Sequence, residues 1–186
     1  MKADDRLLIV ITGPVGGGKS STGLALAHAL QRRDRVVAVI DLDQVHGFVR
    51  QMDNSDDETA WQRARAGAAG LSNAFFDRGV SVVVVEGQFF TAAELDGLLA
   101  PIPASIRRDI FTLNVSYAQA WTRVQGDPSR GMSKNPAFLK AMLCKFELAL
   151  PFLTRASTIV EADTPTLDDV VRELIGRVAP GEKIVP

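Results

Sequence analysis

The sequence predicts an α/β domain built on a parallel sheet of five strands. Three observations carry this expectation: short, continuously apolar runs recur along the chain, segments with helical spacing separate them, and polar or glycine-bearing connectors follow them. Strands buried on both faces read as unbroken apolar runs, and such strands joined by crossover helices build parallel sheets. A length of 186 residues suits one domain spanning 1–186 with a sizeable core.

Leu7 to Thr12, LLIVIT, reads as the first strand, and Lys19 to Leu30 as the helix that follows, ending at the charged stretch QRRDR. Val36 to Ile40 is the second strand and runs into DLD. Glu58 to Arg78 has alanine-rich helical character, weakened by Gly67 and Gly70. Val80 to Val85 contains four valines in succession, the clearest strand of the chain, and ends at Glu86-Gly87. A helix over Ala92 to Leu99 is stopped by Pro101 and Pro103. Ile110 to Val115 is the fourth strand, followed by a helix through about Val124. The polar connector QGDPSRGMSKNP leads to a helix of roughly Ala137 to Leu148, and Thr158 to Glu161 is the fifth strand. The last helix starts near Thr166, whose hydroxyl can cap it with Asp169 three positions on. Ligands are expected at the carboxyl ends of such strands.

Composition excludes several classes. With 46% hydrophobic and 23% charged residues the chain is of ordinary globular type. A formal charge of -1, from 21 basic and 22 acidic residues, gives no global field for gripping nucleic acid or an anionic membrane. Cys144 is the single cysteine, so an internal disulfide and a cysteine-rich metal site are ruled out, which suits a reducing cytosol. The strongest apolar run, VSVVVVEG, is too short to span a bilayer, and no signal-like run precedes Leu7. A soluble cytoplasmic protein is expected, with monomer and homodimer equally open.

The first strand runs into GPVGGGKS, Gly13 to Ser20, which matches the phosphate-loop pattern G-x-x-x-x-G-K-[ST], or Walker A. Gly13 and the run Gly16, Gly17, Gly18 let successive backbone amides turn towards phosphate oxygens without side-chain interference. Lys19 can reach the β and γ phosphates, and the Ser20 hydroxyl can ligate Mg²⁺. The helix starting there adds its N-terminal field. Pro14, Val15 and Ser21 complete the expected nucleotide-contacting set.

Outside the loop, IDLDQVH places Asp41 and Asp43 where the second strand opens onto the ligand-bearing edge. One carboxylate can hold Mg²⁺, the role expected of Asp41, while Asp43 can accept the proton of a substrate hydroxyl and orient it for in-line attack. The alternative is that both cap the following helix. Glu86 at the end of VVVVEG can orient magnesium-bound water or bond Lys19 or the substrate; its structural alternative is pairing at the sheet edge. In WTRVQGDPSRGMSKNP, Arg123, Arg130 and Lys134 can close over a nucleotide as a lid, or can be a solvated charged loop. His46 and Arg50, four apart, would share one helical face towards a polar acceptor. Phe89 and Phe90 follow Glu86-Gly87 and rank above Trp61 as an apolar wall for it.

These segments together resemble the small-molecule P-loop kinases, the group of shikimate kinase, gluconate kinase and chloramphenicol phosphotransferase. GPVGGGKS, IDLDQVH, VVVVEG, WTRVQGDPSRG and IVEADTPTLDDVVREL carry the resemblance over nearly the full length. It implies the P-loop nucleoside-triphosphate hydrolase fold, with sheet order 2-3-1-4-5, helices on both faces and a small helical lid around 124–137. It also implies ATP and Mg²⁺ as cofactors and a small hydroxyl-bearing molecule as the acceptor. On matching positions, Lys19 and Ser20 take the phosphate and magnesium roles, Asp43 looks like the substrate-binding base, and Arg123 and Arg130 look like lid residues. EADTPT resembles the segment passing near the adenine, which brings in Asp163. A nucleoside or nucleotide kinase and a nucleotide-binding regulatory ATPase are the other readings.

Overall fold

The computed structural model describes residues 6–49, 57–128 and 130–179. Arg50, expected in the acceptor pocket, lies outside them. Five strands form one wholly parallel sheet: β1 (Leu7–Thr12), β2 (Val37–Asp41), β3 (Val82–Glu86), β4 (Arg107–Asn114) and β5 (Thr158–Glu161). Their order is β2-β3-β1-β4-β5, as the resemblance implies. The described helices are α1 (Lys19–Gln31), α2 (Leu42–Phe48), α3 (Asp57–Asp77), α4 (Ala92–Leu99), α5 (Tyr117–Gly126), α6 (Pro136–Ala156) and α7 (Leu167–Val178).

The apolar runs divide between the two faces by the two-residue period of a strand. Leu7, Ile9 and Ile11 pack with Leu26 of α1 and Leu174 of α7, whereas Leu8 and Val10 pack with Ala64 and Ala68 of α3 and Leu98 of α4. From Leu8 to Ile11 every residue of β1 is fully buried. Each such side chain contributes roughly 1.5–3 kcal/mol through burial, so the central strand fixes the register of its neighbours.

Two boundaries differ from the sequence reading by three residues or more. β4 starts at Arg107, ahead of the expected Ile110, because Arg107 to Asp109 pair in register with Leu7 to Ile9. The charged side chains there are served separately: Arg107 bonds Asp109 and donates to the Arg177 and Val178 carbonyls at the end of α7. α6 runs on from the expected Leu148 to Ala156, passing through Pro151. A helix-interior proline removes a backbone donor and crowds the preceding turn; burial of Phe146, Ala149 and Leu153 carries the helix across it. α2 begins directly after β2, and Asp41 is its N-cap, accepting from the Asp43 and Gln44 amides at 2.8 and 3.3 Å. The last helix is capped as expected, Thr166 and Asp169 bonding reciprocally.

Candidate active site

The loop after β1 is shaped by its glycines. Gly16 has φ +77°, and a Cβ there would lie 2.8 Å from the Ala120 carbonyl of α5. Gly18 has φ +87° and stands at the N-cap of α1 without a side-chain capping bond, so the first amides of the helix are left for an outside acceptor. Inside the loop, Lys19 Nζ donates to the Gly13 and Pro14 carbonyls at 3.2 and 3.0 Å, and the Gly17 amide donates to Pro14 at 3.0 Å. Part of the Lys19 side chain remains accessible, but burial around the ammonium lowers its pKa, and the nearby charges of Glu86 and Asp43 oppose that shift.

The parallel register brings the acids to this lysine. Asp41 pairs with Glu86, and Glu86 with Ile11, so all three strand ends meet at one edge. Asp41, Asp43, Glu86 and Arg130 all act on Lys19 electrostatically. Glu86 is only 3% exposed, and burial raises its pKa to about 7; the hydrogen bond from the Ser20 hydroxyl pulls the other way, and the Asp41 charge adds to the rise. Ser20, Asp41 and Glu86 thus form an oxygen donor set suited to a hard cation. Asp41 serves as a cap in addition, so the alternative weighed for it is realised without excluding the other.

Two clefts flank the loop. Gly16, Gly17, Gly18 and Ser21 line one of about 410 Å³, closed by Arg123, Arg130 and the β5–α7 connection at Ala162 and Pro165. Arg123 Nη1 donates to the Gly17 carbonyl at 3.2 Å while Nη2 donates to the Ala162 carbonyl, so one guanidinium clips the loop to the end of β5. Arg130 is held at the rim by Asp127 at 3.1 Å. Asp163 accepts from the Ser116 amide at 2.7 Å, tying the β5–α7 connection to the start of α5; its side chain is not among those lining this cleft.

The second cleft, about 630 Å³, is lined by Val15 of the same loop. Asp43 and His46 of α2 enter it, with Trp61 and Arg65 of α3 and Phe90 opposite. His46 stacks on Trp61 with ring centroids 3.9 Å apart, so the histidine is held as part of the wall. Phe89 corrects the sequence reading: it is 1% exposed, packs in the α3 face of the core, and donates its amide to Thr12 Oγ1 at 3.0 Å. The chain alternates as it leaves β3, and the apolar layer under α3 and α4 takes Phe89 while Phe90 reaches the cleft. Trp61, ranked below Phe89 in the sequence analysis, therefore holds the wall position instead. Lys134 also departs from expectation: it ends a short 3-10 turn, Met132–Lys134, accepts from Gln125 through its carbonyl, and lines neither cleft.

Arg65 was not anticipated. It is 4% exposed within α3, bonds Glu58 at 2.8 Å and lies 3.3 Å from Glu94. A sequence signal existed: Arg65 interrupts the small buried face formed by Ala60, Ala64 and Ala68, and a guanidinium there needs partners.

Neither protein-family models nor curated proteins yield a sequence match. Solved structures do match in shape. A gluconokinase from Sinorhizobium meliloti 1021 superposes with TM-score 0.66 at 22% identity, covering 94% of this chain and 93% of its own. A shikimate kinase from Bacteroides thetaiotaomicron does so with TM-score 0.64 at 19% identity, covering 92% and 98%. The chain has the fold of the small-molecule P-loop kinases. A sugar kinase from Janibacter sp. HTCC2649, with TM-score 0.63 and 16% identity over 97% and 98%, shares this P-loop kinase architecture. Among the described residues no helix is long and apolar enough to cross a membrane.

Proposed function

We propose that the protein is an ATP-dependent kinase that phosphorylates a hydroxyl of a small molecule. One observation carries the reading: the glycine loop lines two clefts, through Gly16 to Gly18 on one and Val15 on the other, and Asp43 lines the second. ATP fits the first cleft with its phosphates on the loop amides and Lys19. The acceptor fits the second, its hydroxyl facing Asp43. The acceptor oxygen bonds the γ-phosphorus as the bond from that phosphorus to the β,γ-bridging oxygen breaks, ADP leaves, and the hydroxyl proton passes to Asp43.

Arg123 and Arg130 border the phosphate end and offset charge gathering on the transferred group. The kinase fold and the oxygen donors Ser20, Asp41 and Glu86 suit Mg²⁺ arriving with ATP; when bound, the ion neutralises phosphate charge. Ser20 would hold it directly, with Asp41 and Glu86 orienting its water shell. Asp43 is free for this work because its amide, not its carboxylate, is used by the Asp41 cap.

The test is a reaction with ATP and magnesium against a panel of alcohol-bearing metabolites, nucleosides and antibiotics, the product being identified by mass. A phosphorylated alcohol is expected, and Asp43→Asn should lower kcat about 10²–10⁴-fold with ATP affinity retained. Unchanged turnover in that variant overturns Asp43 as base. A phosphorylated nucleoside or nucleotide would redirect the assignment to that class, and ATP hydrolysis alone to a regulatory ATPase.

A further inference from the structure

The second cleft contains a cation that its own walls have already neutralised. Arg65 is almost wholly buried, and its terminal nitrogens face Glu58 at 2.8 Å and Glu94 at 3.3 Å. Its remaining nitrogen, Nε, is sealed from solvent and has no hydrogen-bond partner, so an occupant of the cleft cannot reach it. Gly97 of α4 faces the Arg65 stem, and a Cβ added there would meet Cδ at 3.5 Å, so the glycine leaves room for the buried side chain. Glu94 is fixed in turn, because its carboxylate accepts the Phe90 and Thr91 amides as half of the capping box of α4.

Among the described residues, the charges that line the cleft are the carboxylates of Asp43, Glu58 and Glu94 against the cations of Arg65 and Lys145. Lys145 is exposed on α6, and the described part of the wall carries one more acid than base. An acceptor carboxylate placed here would find Arg65 already paired and would share the cleft with Glu58 and Glu94, a like-charge cost. Beside the polar His46 and Gln88, the wall presents Trp61, Phe90, Met132, Phe138 and Met142, a continuous offer of apolar surface to a ring or alkyl body.

Building on the kinase reading, we propose that the acceptor is an uncharged alcohol with an apolar body, and that Glu58 and Glu94, by occupying Arg65, exclude hydroxy acids. Glu58 and Glu94 are specificity-determining residues on this account, and Arg65 positions both.

Matched acceptors test it. The purified full-length protein is assayed with ATP and magnesium on 3-phenylpropane-1,2-diol against 3-phenyllactate, and on sorbitol against gluconate. The phenyl diol is expected to exceed both phenyllactate and sorbitol in kcat/KM by at least about tenfold, the one comparison isolating the carboxylate and the other the apolar body. Glu58→Gln, which keeps an acceptor oxygen for Arg65 and is compared with the parent by melting temperature, should narrow the phenyllactate gap at least about threefold, mainly through KM. Equal or better use of phenyllactate or gluconate overturns the proposal and leaves the kinase reading standing. So does a gap unmoved by Glu58→Gln, or a broad panel that yields a phosphorylated product while the phenyl diol is ignored. Absence of transfer to every alcohol tested overturns both.

Discussion

The Ser20 hydroxyl donates a hydrogen bond to the Glu86 carboxylate, tying the first turn of α1 to the end of β3. Burial nevertheless dominates, and Glu86 titrates near 7 against an ordinary value of 4.5. The folded protein therefore prefers the neutral acid. That contribution is complete below about 4.5 and is lost as pH rises through about 7. In metal-free protein, stability should fall across this window by about 1–3 kcal/mol relative to Glu86→Gln, measured as urea midpoints at several pH values. Parallel profiles for the two proteins would remove Glu86 as the source.

Gly16→Ala should damage the loop twice. The left-handed backbone costs a side chain roughly 1–3 kcal/mol, and the new Cβ would press on the Ala120 carbonyl at 2.8 Å. We expect a lowered melting temperature and at least about a tenfold loss of ATP affinity by calorimetry. Affinity equal to the parent would show that the loop amides are not held by this turn.

Arg123→Ala removes two donors at once, leaving the Gly17 and Ala162 carbonyls without this partner. Each such loss costs about 1–3 kcal/mol where water cannot replace it, so ATP affinity should drop about tenfold or more. Arg123→Lys should recover part of it, since an ammonium can serve one carbonyl but does not match the planar fork. Full recovery by lysine would count against the clip.

Pro151→Ala restores a backbone donor within α6 at a solvent-exposed position. Interior proline costs a helix about 3 kcal/mol relative to alanine, partly offset by its stiffening of the unfolded chain. Net stabilisation of about 1 kcal/mol is expected from urea denaturation; a lower midpoint would show that the helix is already fitted to the proline.

Much of the architecture was legible because buried parallel strands leave few choices. LLIVIT and VVVV have only one reading once glycine loops and helical spacing bracket them, and GPVGGGKS located the cradle that Lys19 organises. The charged start of β4 was hidden because Arg107 and Arg108 satisfy the ladder with backbone alone and take their side chains elsewhere. Phe89 and Phe90 are alike in sequence, and only the turn after β3 sends one to the core and the other to the cleft. The partners of Arg65 are not adjacent in sequence: Glu94, one of the acids that pair with it, is brought to it only by the packing of α4 on α3.

The position of β1 at the centre of the sheet also sets an order of assembly. It is the first strand in the chain, yet its ladder partners are residues 82–86 and 107–112. Closing such long loops must precede any reward from pairing. During synthesis the loop after β1 therefore lacks its flanking ladders until β3 and β4 have emerged, so a feature written near the start of the chain takes its shape late.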